Sequence, residues 1–100
     1  MGKNKKIKIG EKLYFDTKYQ QLFCNEIPIK LSKRELQLLQ ILLDANGNIV
    51  AYEDIEFAIW DEHVTNGALR LLIHRLRKKL DFELIDTFTS FGCRIKIFNN

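Results

Sequence analysis

Arg70, Arg75, Arg77, Lys78 and Lys79 fall between residues 66 and 80, with no Asp or Glu among them. A run of one sign, with no acid inside it to neutralise it, is suited to holding an extended anion. Leu69, Ile73, Leu76 and Leu80 recur at i, i+4, i+7 and i+11 through the same stretch, the spacing of one buried helical stripe. With ~100° per residue, Gly67, Leu71, His74 and Lys78 lie opposite that stripe. Arg70 and Arg77 flank this outer face on one side, and Ala68, Arg75 and Lys79 flank it on the other. Such a helix fits a major groove, its outer face toward base edges and its flanks toward the two phosphate walls. Arg75 has the fork for guanine O6 and N7, Leu71 an apolar match for a thymine methyl, and His74 a donor or acceptor for base or phosphate.

Other chemistry finds little support. The chain carries no Gly-rich phosphate loop and no Ser/His/Asp set, and Asp54 and Glu56 face different ways on a helix. No catalytic residue, metal site or cofactor is therefore assigned. Cys24 and Cys93 form no CxxC pair and are not at ligand spacing with His63 or His74. They read as small apolar filler in a reducing cytoplasm. No apolar run approaches the ~18 residues of a membrane span. The basic start, Met1 to Lys6, lacks the apolar stretch of a signal peptide and reads as a linker or disordered leader.

The elements that must hold the basic helix are legible from periodicity. Ile7, Ile9, Leu13, Phe15, Leu22, Cys24, Ile27, Ile29 and Leu31 alternate, broken by Gly10-Glu11, Asp16-Thr17-Lys18 and Asn25-Glu26, which predicts four short antiparallel strands. Pro28 makes the last of these an edge. Ser32 and Glu35 form a capping box ahead of a helix through Leu36, Leu39 and Leu43, widened by Leu38, Ile41 and Leu42 and stopped at Asn46-Gly47. A second, acidic helix follows, with Glu53, Asp54, Glu56, Asp61 and Glu62 in residues 51–62 and a stripe of Ile55, Ala58 and Ile59 beside Phe57 and Trp60. The basic helix spans about 66–80, capped by Asn66 or Thr65. Residues 84–98 alternate again, with Leu84 to Phe88 and Arg94 to Phe98 as strands about a Thr89-Ser90-Phe91-Gly92 tip. The expectation is an α+β winged helix-turn-helix over residues 7–98: a four-stranded antiparallel sheet, three helices and a β-hairpin wing.

Taken together these stretches resemble the DNA-binding effector domain of OmpR/PhoB-type response regulators. Leu31-Ser32-Lys33-Arg34-Glu35-Leu36-Gln37-Leu38-Leu39 is similar to that family's L-[ST]-x-x-E-x-x-L-L entry to its first helix, and Asn48-Ile49-Val50 with Ile59-Trp60 to its second-helix segment. Ile73-His74-Arg75-Leu76-Arg77-Lys78-Lys79-Leu80 matches I-x-R-L-R-x-K-L, and Ile85-Asp86-Thr87-Phe88 with Gly92-Cys93-Arg94 resembles the wing's I-x-T-V and G-Y-R. The resemblance implies sequence-specific binding of double-stranded DNA in a bacterial two-component transcriptional regulator. It also implies a head-to-tail dimer on direct repeats, contact with RNA polymerase through the loop between the second and third helices, and a receiver domain in the same protein. By position it makes Arg75 and Leu71 base readers, puts Arg77, Trp60 and Thr87 on phosphates, and brings Thr89 and Arg94 to DNA with the wing.

The departures concern preference. Gly67 stands where the family has Arg, Arg70 where it has Asp, Leu72 where it has His, and Cys93 where it has Tyr. Thr89 replaces the cation of the wing tip, which predicts a weak minor-groove contact. These losses motivate one other reading, a degenerate winged-helix module that docks proteins and does not bind specific DNA.

Overall fold

The computed structural model describes residues 6–62, 64 and 66–96. The first sheet is an antiparallel meander of β1 (Lys6–Lys8), β2 (Leu13–Asp16), β3 (Gln21–Cys24) and β4 (Ile27–Ile29), in spatial order β1-β2-β3-β4. Its alternation is the expected one: Leu13, Phe15 and Leu22 are buried while Tyr14 faces out. Lys6, expected as the last leader residue, pairs with Asp16 in β1. Asp16 itself is buried because its carboxylate accepts the Lys18 and Tyr19 amides (2.9 and 3.1 Å), closing the β2–β3 turn. Asn25 and Glu26 both have positive φ, the backbone of a two-residue hairpin. Pro28 sits opposite Phe23 on the edge strand, where the missing N–H costs the ladder nothing. Ile27 departs from the expectation. It lies at the turn end of that edge strand and is largely exposed.

α1 (Lys33–Asp44) begins at the expected capping box: Ser32 Oγ accepts from the Glu35 amide (3.1 Å), and Glu35 Oε1 accepts from the Ser32 amide (2.8 Å). Leu38, Leu39 and Leu42 form its fully buried line, with Leu36, Ile41 and Leu43 half-buried beside them. The chain leaves the helix through positive φ at Asn46 and Gly47. β5 (Val50–Ala51) was not expected, since two residues are too few to alternate. It pairs with β7 (Gly92–Ile95), which pairs in turn with β6 (Ile85–Phe88), giving a three-stranded sheet in order β5-β7-β6. This pairing explains Gly92. A side chain there would overlap the Val50 carbonyl, so only glycine lets the strands approach. It also starts the strand two residues earlier than expected, at Gly92 in place of Arg94, while Ile97 and Phe98 lie outside the described residues.

α2 (Tyr52–Trp60) buries Ile55 completely and Ile59 and Trp60 in part. Ala58 and Phe57 are exposed, so the apolar face is narrower than the expected stripe. Nine residues give this helix about two and a half turns, and only one flank of it meets the core. α3 (Asn66–Leu80) has the expected bounds. Leu69, Ile73, Leu76 and Leu80 are buried as expected, and Leu72 joins them. The Thr65 and Asn66 caps fall outside what is described. A 3-10 turn, Phe82–Leu84, links α3 to β6. Phe15, Leu22, Leu38, Leu39, Leu42, Ile55, Leu76, Ile85 and Ile95 from both sheets and all three helices meet in one core. Cys93 belongs to it, and burial pushes its thiol up to about 11, so it is filler and not a nucleophile.

Candidate nucleic-acid interface

α3 is held by its buried stripe, and its opposite face is open. Gly67, Arg70, Leu71, His74, Arg75 and Lys78 are all exposed, Leu71 by 47%. Among the described residues Arg70, Arg75 and Lys78 make no ion pair within the fold, so their charge is available to a ligand. An exposed leucine ringed by uncommitted cations combines an apolar contact with anion binding, the mixture that base methyls and phosphates require.

Beside this face α2, α3 and the wing enclose an open cleft of about 580 Å³. Arg70, His74 and Arg77 line it from the helix, Thr87, Thr89 and Ser90 from the hairpin, and Tyr52 and Glu56 from α2. Phe82 braces two of these groups. Arg77 donates from Nε and Nη2 to the Phe82 carbonyl (3.3 and 3.0 Å), and its guanidinium stacks 5.2 Å from the Phe82 ring. The His74 ring meets the same ring at 5.5 Å. Arg77 is thus oriented before any ligand arrives, and orientation in advance lowers the entropy lost on binding.

The remaining expected site residues are placed differently. Lys79 turns away from the outer face toward α1. Its ammonium donates to Glu35 Oε1 (2.6 Å) and to the Lys30 carbonyl (2.9 Å). Burial raises the Glu35 pKa, but the Lys79 hydrogen bond and the Ser32 amide outweigh it and hold the carboxyl below its ordinary 4.5. Lys79 is therefore a strut between α3 and α1. Arg94 is committed in a similar way, donating to Asp86 (3.2 Å), with the Lys96 ammonium 3.7 Å from the same carboxylate. Trp60 does not line the cleft; it carries the Arg34 guanidinium 5.0 Å over its ring. Arg34, Tyr52, Ser90 and Phe82 were not among the expected site residues. No helical spacing rule joins Phe82 to α3, because Phe82 lies past the end of the helix, at the start of the 3-10 turn.

Comparison with known proteins agrees with this fold. The family model described as "Transcriptional regulatory protein, C terminal" matches residues 26–95. The transcriptional regulatory protein QseB of Haemophilus influenzae is 32% identical over 79 residues, covering 77% of this chain and 36% of QseB. The chain therefore spans about a third of the length of that relative. Among solved structures, the response regulator DrrB of Thermotoga maritima, an OmpR/PhoB homologue, superposes with a TM-score of 0.81 at 23% identity, over 91% of this chain and 44% of DrrB. The DNA-binding domain of Klebsiella pneumoniae RstA, solved in complex with the RstA box, superposes with a TM-score of 0.78 at 22% identity, over 92% of this chain and 97% of that domain.

Proposed function

The chain belongs to the OmpR/PhoB-type family of DNA-binding domains found at the C terminus of transcriptional regulatory proteins, and on that premise we propose that α3 occupies the major groove of double-stranded DNA. In that groove Arg75 and Leu71 read base edges, while Arg70, Arg77 and Lys78 meet phosphates. The observation that carries this reading is the open face of α3, where Leu71 stands exposed beside Arg70, Arg75 and Lys78, which make no ion pair among the described residues. Thr87 and Thr89 join from the wing, since they share the cleft with Arg70 and Arg77. The function is binding and not catalysis, exercised on DNA in the bacterial cytoplasm. Among the described residues no helix is long and apolar enough to cross a membrane.

A receiver domain, a head-to-tail dimer on repeated half-sites and contact with RNA polymerase belong to the same proposal. The first is supported by DrrB, a response regulator of which this chain matches under half. The protein-docking alternative has no observation in its favour that the family match does not outweigh.

The test is selection of bound duplexes from a random pool, followed by titration against salt. Three to four neutralised phosphates give a log–log slope of about −3 to −4. Arg75→Ala should lose ~1–3 kcal/mol on the selected site and relax preference at one base pair. A uniform loss across all sequences would remove Arg75 from the base readers, and failure to select any duplex would remove the DNA-binding reading.

A further inference from the structure

The wing departs most from what a DNA-binding hairpin needs electrostatically. Residues 87–93, Thr-Phe-Thr-Ser-Phe-Gly-Cys, carry no charge at all. The acid adjoining this stretch in sequence, Asp86, is neutralised at the base of the hairpin by Arg94 and Lys96. Cationic attraction therefore cannot be the means by which this tip binds DNA. What the tip does expose is apolar: Phe88 is 37% and Phe91 57% exposed. They occupy the first and last positions of one tight turn, closed by the Phe91 amide donating to the Phe88 carbonyl (3.0 Å) with Ser90 at φ 62°.

This turn is not loose. The Phe91 carbonyl accepts from the Tyr52 amide at the start of α2 (2.9 Å), and Gly92 is pressed against the Val50 carbonyl of β5. The Phe91 backbone is thereby pinned to the body of the domain while its ring projects into solvent. Between the two phenylalanines, Thr89 and Ser90 line the cleft shared with Arg70, His74 and Arg77. The apolar tip is continuous with the basic face.

We propose that the wing tip is an apolar wedge for the minor groove, Phe91 packing against the sugar walls of DNA whose major groove α3 occupies, with Phe88 supporting it. The proposal rests on the DNA-binding reading above. A ring held on a fixed backbone loses little freedom on insertion, and groove walls built of deoxyribose offer it a dry surface. The weak wing contact expected from the neutral Thr89 is thus revised. The contact is salt-independent in place of cationic.

The experiment uses the 100-residue chain on a duplex selected by the wild type, as one half-site and as two. Phe91→Ala should lower affinity ~10-fold on the single half-site. The slope of affinity against salt should be unchanged, and hydroxyl-radical protection of the minor groove flanking the half-site should disappear. Phe91→Lys should recover affinity at low salt and steepen the slope by about one. The ring is exposed, so the melting temperatures of both variants should match the wild type. Affinity within twofold and an unaltered footprint for Phe91→Ala, with Arg75→Ala still impaired, would overturn the wedge and leave DNA binding intact. A loss seen only on the two-half-site duplex would also overturn it, assigning Phe91 to contact between two copies. If the wild type selects no duplex, both readings fall together.

Discussion

Lys78 and Lys79 are adjacent on α3 and have opposite fates. Lys78 is exposed and makes no ion pair among the described residues, whereas Lys79 is drawn back onto Glu35 and the Lys30 carbonyl. Arg77 stands between them: the neutral Phe82 carbonyl orients it without cancelling its charge, while Arg70 and Arg75 are exposed. The dividing variable is angle. With the buried stripe at zero, Arg77 and Lys79 lie about 80° away, within reach of what packs beside α3; Arg70, Arg75 and Lys78 lie about 100° or more away and clear it. A long side chain close to a buried stripe finds a partner inside the fold, so a count of positive charges on a helix overstates what is offered to DNA.

The largest test of this division is Lys79→Ala. It strands a Glu35 carboxylate that is only 4% exposed, so the domain should lose ~1–2 kcal/mol, a value below that of a fully buried pair because the lysine itself is 37% exposed. A melting temperature lower by about 5–15 °C would register it. Because Glu35 is held below 4.5, its stabilising contribution is present above that pH and disappears as pH falls through the lowered value. The Lys79→Ala variant should lack this portion of the acid sensitivity. The salt slope of DNA binding should stay as in the wild type; a slope smaller by one would return Lys79 to the phosphates. Lys78→Ala should do the reverse. Its stability should stay within ~0.5 kcal/mol of the wild type, and its salt slope should shrink by about one. Each lysine thus serves as the control for the other.

The same contrast explains how far the sequence could be read. The hydrophobic stripes placed α1 and α3 within a residue or two, and the capping box at Ser32 and Glu35 was visible because its partners are three residues apart. The contacts that decide the fate of individual cations are remote. Lys79 meets Glu35 across 44 positions, and β5 exists only because β7 returns beside it. The Gly92-Cys93-Arg94 stretch was legible as a family motif, but its physical reason, the Val50 carbonyl lying where a side chain would go, required the second sheet. The wing phenylalanines were treated as strand and tip residues because alternation cannot tell a covered face from an open one.

Gly67 offers the finest test, because it adjoins the exposed cations without sharing their chemistry. It lies in the first turn of α3 on the exposed face, and a methyl group built on it would meet nothing within 4 Å. Gly67→Ala therefore introduces no clash and removes unfolded-state freedom, for a gain of about 0.5 kcal/mol, less than the ~1 kcal/mol of a helix interior. The angle rule sharpens the expectation further. Gly67 stands opposite the buried stripe with Leu71, His74 and Lys78, so the added methyl enlarges the surface presented to the groove without reaching any neighbour in the fold. Thermal melting should rise by a few degrees while the salt slope stays constant, since no charge has moved. Affinity within twofold of the wild type would show that the first turn of α3 is already formed in the free domain. A tenfold gain would mean instead that binding has to order it, and the exposed cations beginning at Arg70 would then be less prearranged than the exposed face implies.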